Sequence, residues 1–336
     1  MDSPSPTRIK IPLQMVASQM VEASGRRTKG QLIAWLQLLR LPNVFTAIAD
    51  VMMGFLVARG SLDPHVWFAL IAAASAALYL AGMVLNDVCD VTADTKQRPT
   101  RPIPSGRISL ADARVLGWGL LVTGLICGGI VSFLSGSTRP AWIAGILALA
   151  IVLYDGRLKA TQLGPLLMGL CRMFNVLLGM SLALEGAGHV LPPNARWIVA
   201  VAIGVYTAGI TRFARTEAKR SSRWQLVRGL ALVMVGLVLI AMLPVWDPGV
   251  THRAPNWTSG WYVYWPILAI IIARRFVLAI VDPSPRRVQG AVKSGIVSLI
   301  MIDAGICLGV CGPFWGCAVL LLLAPTLLLG LWIDST

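Results

Sequence analysis

Residues 66–94, VWFALIAAASAALYLAGMVLNDVCDVTAD, join a long apolar run directly to a cluster of acids. Up to Asn86 this stretch carries no charged side chain. A helix of roughly 20 apolar residues crosses the hydrocarbon core of a bilayer, so the run predicts a membrane span. The aspartates that follow, Asp87, Asp90 and Asp94, therefore stand where the predicted span leaves the membrane.

The composition of the whole chain extends that prediction. Of its 336 residues, 56% are apolar and only 13% are charged, and the mean hydropathy is +0.73. Soluble domains carry about 25% charged residues. The composition therefore excludes a soluble enzyme, a disordered chain and a small secreted domain held by disulfides. It predicts an all-α fold, a polytopic bundle of transmembrane helices.

Ten apolar runs are long enough to be membrane spans. They are residues 34–58, 66–86, 114–134, 139–155, 163–185, 196–213, 225–246, 261–281, 289–311 and 314–332. The fourth and sixth runs are short, and only Gly312 and Pro313 separate the last two, so the sequence predicts nine to ten spans. Residues 1–30 are polar and basic and are predicted to form a flexible cytosolic tail. The membrane domain then comprises residues 31–336.

The charges of the loops test this placement. The net charge is +14. With the N-terminus in the cytosol, 24 lysines and arginines lie on the cytosolic side of the predicted spans and 4 on the opposite side. Cytosolic loops of membrane proteins carry such an excess of basic residues. The bias predicts a cytosolic N-terminus and explains the positive charge without a nucleic-acid partner. We expect an integral protein of a bacterial inner membrane, in contact with membrane lipid.

The acids after the second span form a pattern that favours a metal site. Asp87, Asp90 and Asp94 share one face of a helix, where three carboxylates repel one another unless a cation lies between them. Mg²⁺ takes oxygen ligands and usually binds through carboxylates together with the phosphates of a substrate. The run KQRPTRPIPSGR at 96–107 adds guanidinium groups, which suit phosphate oxygens. The pattern predicts a Mg²⁺-bridged diphosphate with its apolar tail in the bundle; a solvated loop in which these acids and bases simply pair is the alternative.

These motifs resemble those of a known family. Asn86-Asp87-Val-Cys-Asp90-Val-Thr-Ala-Asp94, followed by Arg98-Pro-Thr-Arg101-Pro-Ile-Pro-Ser-Gly-Arg107, resembles the first acidic motif of the UbiA superfamily of intramembrane prenyltransferases. Supporting stretches are Arg40-Leu-Pro-Asn43, Tyr154 to Lys159 and Arg172-Met-Phe-Asn175. The sequence around spans five and six is most similar to a bacterial branch, the EboC-like proteins.

The resemblance implies a helical bundle around a central cavity that opens to the cytosol. It also implies Mg²⁺-dependent transfer of an isoprenyl chain from a prenyl diphosphate donor to a lipophilic acceptor, aromatic or of another kind. The metal ligands and catalytic residues would be Asp87, Asp90 and Asp94. The residues expected to bind substrate are Asn43, Asn86, Arg98, Arg101, Arg107, Tyr154, Lys159, Arg172 and Asn175.

An internal repeat supports a site made of two halves. Arg-x-x-Asn occurs at 40–43 and again at 172–175, each time in the first span of a group of four. The distance from Asn43 to Asp87 is close to that from Asn175 to Glu217. Repeats in membrane proteins often place a binding site where they meet. The loop after the sixth span is therefore expected to form the second half of the site.

The second half departs from the family pattern. Family members usually carry another acidic motif there, for a second Mg²⁺, whereas residues 211–223, TRFARTEAKRSSR, contain one carboxylate. In one interpretation Arg212, Arg215 and Lys219 supply positive charge to the diphosphate and Glu217 remains as a catalytic ligand. In others the basic loop only obeys the topology rule, or catalysis is lost and the chain is a carrier or transporter that binds isoprenoids or related lipids.

Overall fold

The computed structural model describes residues 30–183, 191–215, 222–247 and 258–332, and the predicted tail lies outside these residues except for Gly30. We number the helices along the chain: α1 (30–38), α2 (Val44–Arg59), α3 (His65–Cys89), α4 (Val91–Gln97), α5 (Leu110–Ser135), α6 (Arg139–Leu153), α7 (Gly164–Met180), α8 (Pro193–Ala214), α9 (Arg223–Ala241), α10 (Leu243–Trp246), α11 (Thr258–Val281), α12 (Pro285–Val310), α13 (Pro313–Leu320) and α14 (Leu323–Trp332). A 3₁₀ turn, Leu41–Asn43, precedes α2, and a π-helical turn, Tyr154–Leu158, follows α6.

The predicted number of spans is confirmed. In the described part of the chain, nine helical segments are long and apolar enough to cross a membrane, and α7 is a shorter apolar helix. Large apolar side chains such as Phe133 and Trp142 point out of the bundle and are largely exposed. A surface of this kind suits lipid better than water. The protein is an integral membrane protein with an all-α fold.

The first predicted span, 34–58, is wrong as a single helix. The chain breaks between α1 and α2, where Arg40 adopts left-handed backbone angles of φ 46 and ψ 44 and the 3₁₀ turn follows. Pro42 lies in this turn. Proline has no N–H to donate and disfavours helical angles at the residue before it, so it does not continue a helix from α1. The break turns Arg40 toward the interior of the bundle.

Prolines also divide two other predicted spans. The segment predicted as 314–332 consists of α13 and α14, which are interrupted just before Pro325. The segment predicted as 225–246 ends its main helix at Ala241, and Pro244 lies at the start of the short α10. Both segments are as apolar as predicted, but hydropathy alone does not register the missing N–H of proline.

The helices form a closed ring with an internal repeat. Helix α3 packs on α5 in the first half as α8 packs on α9 in the second, and α5 packs on α6 as α9 packs on α11. The two halves meet where α6 and α2 contact α7, and the ring closes through α12, which packs on α2. The predicted pseudo-repeats are thus present as repeated packing, with α2 and α7 at the centre.

The backbones of α2 and α7 touch. A Cβ atom at Gly54 would lie 2.6 Å from the carbonyl oxygen of Val176, and one at Gly179 would collide with the backbone of Val51. Small residues at such contacts let membrane helices approach closely. This contact fixes the position of α7, which carries the second Arg-x-x-Asn motif, relative to α2, which directly follows the first.

Candidate functional site

A cavity lies between α2, α3, α6 and α7. Its volume is about 160 Å³, well above the roughly 10–15 Å³ that one water molecule needs on this measure. Leu78, Ile151 and Met168 give it apolar walls. Arg40, Asn86, Tyr154, Asp155, Arg172 and Asn175 supply its polar groups. An apolar pocket with a few convergent polar groups is the usual form of a small-molecule site.

The acidic motif stands beside this cavity, at the end of α3. Asp87 is 5% exposed, and its Oδ1 accepts a hydrogen bond of 2.9 Å from Nη2 of Arg40. Nη1 of Arg101 lies 3.4 Å from the same oxygen and 2.6 Å from Oδ2 of Asp94. Arg101 therefore bridges the first and third acids of the motif, and its side chain is buried.

The second acid has a different partner. Nζ of Lys159 lies 2.7 Å from Oδ1 of Asp90 and donates a hydrogen bond of 3.1 Å to Oδ1 of Asn86. Lys159 follows the π-helical turn after α6, so this contact joins the end of α6 to the end of α3. Asp90 is also more exposed than Asp87, with 30% of its side chain accessible.

These pairs decide how a metal could bind. Within the ranges that the structure describes, no group of three or more His, Cys, Asp or Glu side chains is gathered to hold a metal ion. The carboxylates lie against arginine and lysine rather than against one another. The donor set still fits Mg²⁺, because this ion usually takes one or two carboxylates together with the phosphate oxygens of a substrate.

A second polar group lies further along α7. Nε of Arg172 is 2.6 Å from Oδ2 of Asp50, and Nδ2 of Asn175 donates to the same oxygen at 3.1 Å. Ser75 donates to Oδ1 of Asn175 at 2.6 Å. All four side chains are buried. Arg172 and Asn175 reach the cavity wall, and the other two hold them there.

The structure brings together Asn86, Asp87, Asp90, Asp94, Arg101, Tyr154, Lys159, Arg172 and Asn175, in or beside the cavity. Three other predicted residues of the first half are not in its wall. Asn43 and Arg98 are partly buried and do not line the cavity. Arg107 is exposed and bonds to Gln37 and to the carbonyl of Thr100, so it braces the loop.

The second-half motif is only partly described. Glu217 and Lys219 lie outside the described residues. Arg212 is partly buried at the end of α8. Arg215 donates to the carbonyls of Ala160 and Thr161 at 2.8 and 2.7 Å, which ties the end of α8 to the loop that follows Lys159. In this arrangement Arg215 is outside the cavity.

Among the cavity residues that the sequence does not predict, three carry charged or hydroxyl side chains: Arg40, Tyr79 and Asp155. Arg40 is the first residue of the repeated Arg-x-x-Asn motif, so its counterpart Arg172 pointed to it. Tyr79 precedes Asn86 by seven residues, which puts both on one stripe of α3. Asp155 had only its neighbours Tyr154 and Lys159 as a signal.

Comparisons with known proteins agree with the motifs. Residues 47–294, well over half of the chain, match the UbiA prenyltransferase family. The chain is 33% identical over 171 residues to a digeranylgeranylglyceryl phosphate synthase of Ignicoccus hospitalis, with 51% of this chain and 52% of that protein covered. It is 38% identical over 128 residues to the synthase of the same name from Methanoculleus marisnigri, with 38% and 43% covered. The chain thus spans about half the length of the curated relatives it matches.

The fold has counterparts among solved structures. A UbiA homologue from Archaeoglobus fulgidus, bound to GPP and Mg²⁺, superimposes with a TM-score of 0.61 at 16% identity, over 85% of this chain and 99% of that one. A structure of digeranylgeranylglyceryl phosphate synthase gives a TM-score of 0.58 at 20% identity, over 84% and 99%. At these identities the likeness concerns the fold.

Proposed function

This chain belongs to the UbiA prenyltransferase family, and on that premise we propose that it transfers an isoprenyl group from a prenyl diphosphate to a lipophilic acceptor, with Mg²⁺. The observation that carries the proposal is that a charged region and an apolar cavity lie side by side. A network of acids and cations at the ends of α3 and α6 lies beside a cavity with apolar walls. A prenyl diphosphate has the same two parts.

The cations are placed to receive the diphosphate. Arg40 lines the cavity, and Lys159 bonds to Asn86, which lines it too. Arg101 lies just behind them on Asp87 and Asp94. Guanidinium and ammonium groups form strong, charge-assisted hydrogen bonds to phosphate oxygens. These three residues hold the acidic motif in place before the donor arrives and become its charge partners afterwards.

Asp87, Asp90 and Asp94 are the residues that would hold Mg²⁺, together with oxygens of the diphosphate. When bound, the metal neutralises charge on the diphosphate and so makes it a better leaving group. Asp90 is the most exposed of the three acids, and Lys159 is its charge partner in the described part of the chain. We therefore assign Asp90 the largest part in metal binding.

The apolar walls would hold the isoprenyl chain and exclude water. Leu78, Leu147, Ile151 and Met168 give the cavity this character. A developing allylic cation is trapped by any water that reaches it, so a dry cavity protects the reaction. The cavity would therefore direct the carbon chain toward the acceptor.

The acceptor is the part of the proposal that the relatives inform most. Their name, digeranylgeranylglyceryl phosphate synthase, denotes a product built on glyceryl phosphate. An alcohol of a prenylated glyceryl phosphate is accordingly the first acceptor to test, and an aromatic acid such as 4-hydroxybenzoate is the second. We further propose that the site faces the cytosol, which the basic bias of the loops supports. Bacterial origin stays a prediction, since the relatives named above are archaeal.

The test uses the full-length protein in detergent or nanodiscs with labelled geranylgeranyl diphosphate. We expect Mg²⁺-dependent release of diphosphate and a labelled lipid product, both abolished by a chelator. Asp90→Ala should lose transfer. Asp112→Ala is the matched control, because Asp112 is an exposed acid at the start of α5, away from the cavity.

Two results would decide against the proposal. Wild-type turnover by Asp90→Ala would remove the metal assignment. Saturable binding of the donor without any cleavage of its C–O bond, with either acceptor, would instead favour the carrier function that the altered second motif permits.

A further inference from the structure

Asp155 is a buried carboxylate that none of the roles assigned above uses. It is 4% exposed and it lines the cavity. Its Oδ2 is buried and has no hydrogen-bond partner in the described part of the chain. Burial of a polar group without a partner costs about 1–3 kcal/mol, more when the group is charged. An unsatisfied carboxylate in the wall of a ligand cavity therefore points to a partner on the ligand.

The fold holds Asp155 firmly in this position. Leu147, Ile151, Tyr154 and Asp155 form one stripe of α6 and its π-helical continuation, and all four line the cavity. Single π-helical turns occur frequently at functional sites. The stripe is apolar along α6 and becomes polar at the turn. Asp155 thus lies where the apolar walls give way to the groups proposed to bind diphosphate.

The other acids beside the cavity are already engaged. Asp87, Asp90 and Asp94 each lie within 3 Å of an arginine or lysine nitrogen, at 2.9, 2.7 and 2.6 Å. A carboxylate held by a cation is a poor proton acceptor, because the cation stabilises its charged form. Among the residues that the structure describes, Asp155 has no such close ion pair, although the charges of Lys159 and Arg40 act on it from a longer range, and its Oδ2 can still accept a hydrogen bond.

We propose that Asp155 is a catalytic residue that binds the nucleophilic hydroxyl of the acceptor and takes its proton. The inference rests on the proposed prenyl transfer. The C1–O bond of the donor breaks, and both electrons leave with the diphosphate. The acceptor oxygen forms the new bond to C1, its proton moves to the Asp155 carboxylate, and the carboxylate later returns the proton to water at the mouth.

The inference also limits the acceptor. A carboxylate with a free oxygen inside an apolar cavity recognises an O–H donor. The site therefore selects an alcohol as the acceptor, and the product is an ether. It gives no advantage to an acceptor that is alkylated at carbon through a face presenting only C–H bonds.

The test compares Asp155→Asn with Asp155→Glu and with the exposed control Asp112→Asn. The probes are geranylgeranyl diphosphate as donor, geranylgeranylglyceryl phosphate as hydroxyl acceptor and 4-hydroxybenzoate as aromatic acceptor. Removal of a positioned general base typically costs 10²–10⁴-fold in rate. We expect Asp155→Asn to lower kcat for the hydroxyl acceptor by about that factor. Asp155→Glu should restore part of the loss.

A merely structural role predicts different readouts. We expect the thermal midpoint of Asp155→Asn to equal or exceed that of the wild type and its Kd for the donor to be no higher, since Asn keeps the shape and removes a buried negative charge, whereas a structural role would lower the midpoint. In Asp155→Asn the labelled donor should be hydrolysed slowly to prenyl alcohol, because its C–O bond still breaks and water replaces the acceptor.

Three outcomes overturn the inference. An unchanged kcat in Asp155→Asn would refute it while the proposed function stands. Wild-type transfer only to a ring carbon of 4-hydroxybenzoate would refute the hydroxyl acceptor. A wild type that cleaves no donor with either acceptor would refute the proposed function, and the role of Asp155 with it.

Discussion

Arg172 lies inside the bundle beside two buried carboxylates in very different situations. Asp50 accepts a hydrogen bond from Asn175 and lies 2.6 Å from Nε of Arg172. Asp303, on α12, is fully buried and faces the Asp50 side chain within hydrogen-bonding reach. Ionisable groups at such depth are costly and usually pair with one another. Asp50 therefore compensates Arg172, whereas Asp303 places a second acid against Asp50.

The two acids should respond oppositely to the same substitution. Asp50→Asn leaves the buried guanidinium of Arg172 without a countercharge, which typically costs about 3–5 kcal/mol. Asp303→Asn keeps the shape, removes an acid that repels Asp50 and offers Asp50 an amide N–H, so it should leave the free energy of unfolding unchanged or raise it. Thermal unfolding of the purified variants in one detergent measures both, each variant serving as control for the other. A larger loss from Asp303→Asn than from Asp50→Asn would contradict this account.

The break between α1 and α2 shows how an element can serve a site at a local cost. Arg40 has φ 46, in the left-handed region, which costs a residue with a Cβ roughly 1–2 kcal/mol. The same conformation lets its guanidinium reach Asp87. Strain of this kind persists where the surrounding structure enforces it and is common at functional sites.

Arg40→Asn should separate these two effects. Asparagine tolerates left-handed angles better than arginine, and Asp87 keeps Arg101 as a partner at 3.4 Å. We therefore expect a thermal midpoint close to that of the wild type, but at least tenfold weaker binding of geranylgeranyl diphosphate. Equilibrium binding of labelled donor checks this. Arg114→Asn, at an exposed arginine of α5, is the control and should bind as the wild type does; equal binding by both variants would count against a role for Arg40.

Sequence patterns predicted the elements better than the contacts between them. Hydropathy identified the spans, and the spacing of Asp87, Asp90 and Asp94 placed these acids together at the end of α3. It could not assign their partners. Lys159 reaches Asp90 only because α6 ends beside α3, and long side chains from distant parts of the chain follow packing rather than spacing. Asp155 escaped prediction for the same reason, since a single acid has no periodicity.

The contact between α2 and α7 gives a prediction at the level of elements. A Cβ at Gly179 would collide with the backbone of Val51, so Gly179→Ala must push the two helices apart. Overpacking of this kind typically costs about 1–3 kcal/mol. Gly129, on α5, has no atom within 4 Å of its would-be Cβ, and Gly129→Ala should be neutral or slightly stabilising because alanine favours helix. Thermal unfolding in detergent compares them, and equal midpoints would mean that the close contact is absent.

At the scale of the molecule, the ring makes the cavity a product of both halves. Helices α2, α3 and α6 come from the first half and α7 from the second, so no half contains the complete wall. Successive membrane spans of each half run in opposite directions. The polar end of the cavity, with Asn86 and Tyr154, lies at the end of α3 that leads through α4 to the loop 98–107, so the direction of the whole bundle would decide from which side the proposed donor enters.

Single cysteines on opposite faces test that direction. The six native cysteines are first replaced, and then either Ser105→Cys or Thr138→Cys is introduced. Ser105 lies in the loop before α5, Thr138 lies directly before α6, and both residues are exposed. The basic bias of the loops predicts that residue 105 faces the cytosol. In intact cells a membrane-impermeant maleimide should label Thr138→Cys only, and Ser105→Cys should react after the cells are permeabilised. The permeabilised sample controls for reactivity. Labelling of Ser105→Cys alone in intact cells would show that the bundle has the opposite orientation. The donor would then enter from outside the cell, and a prenyl diphosphate would have to be exported to reach the site.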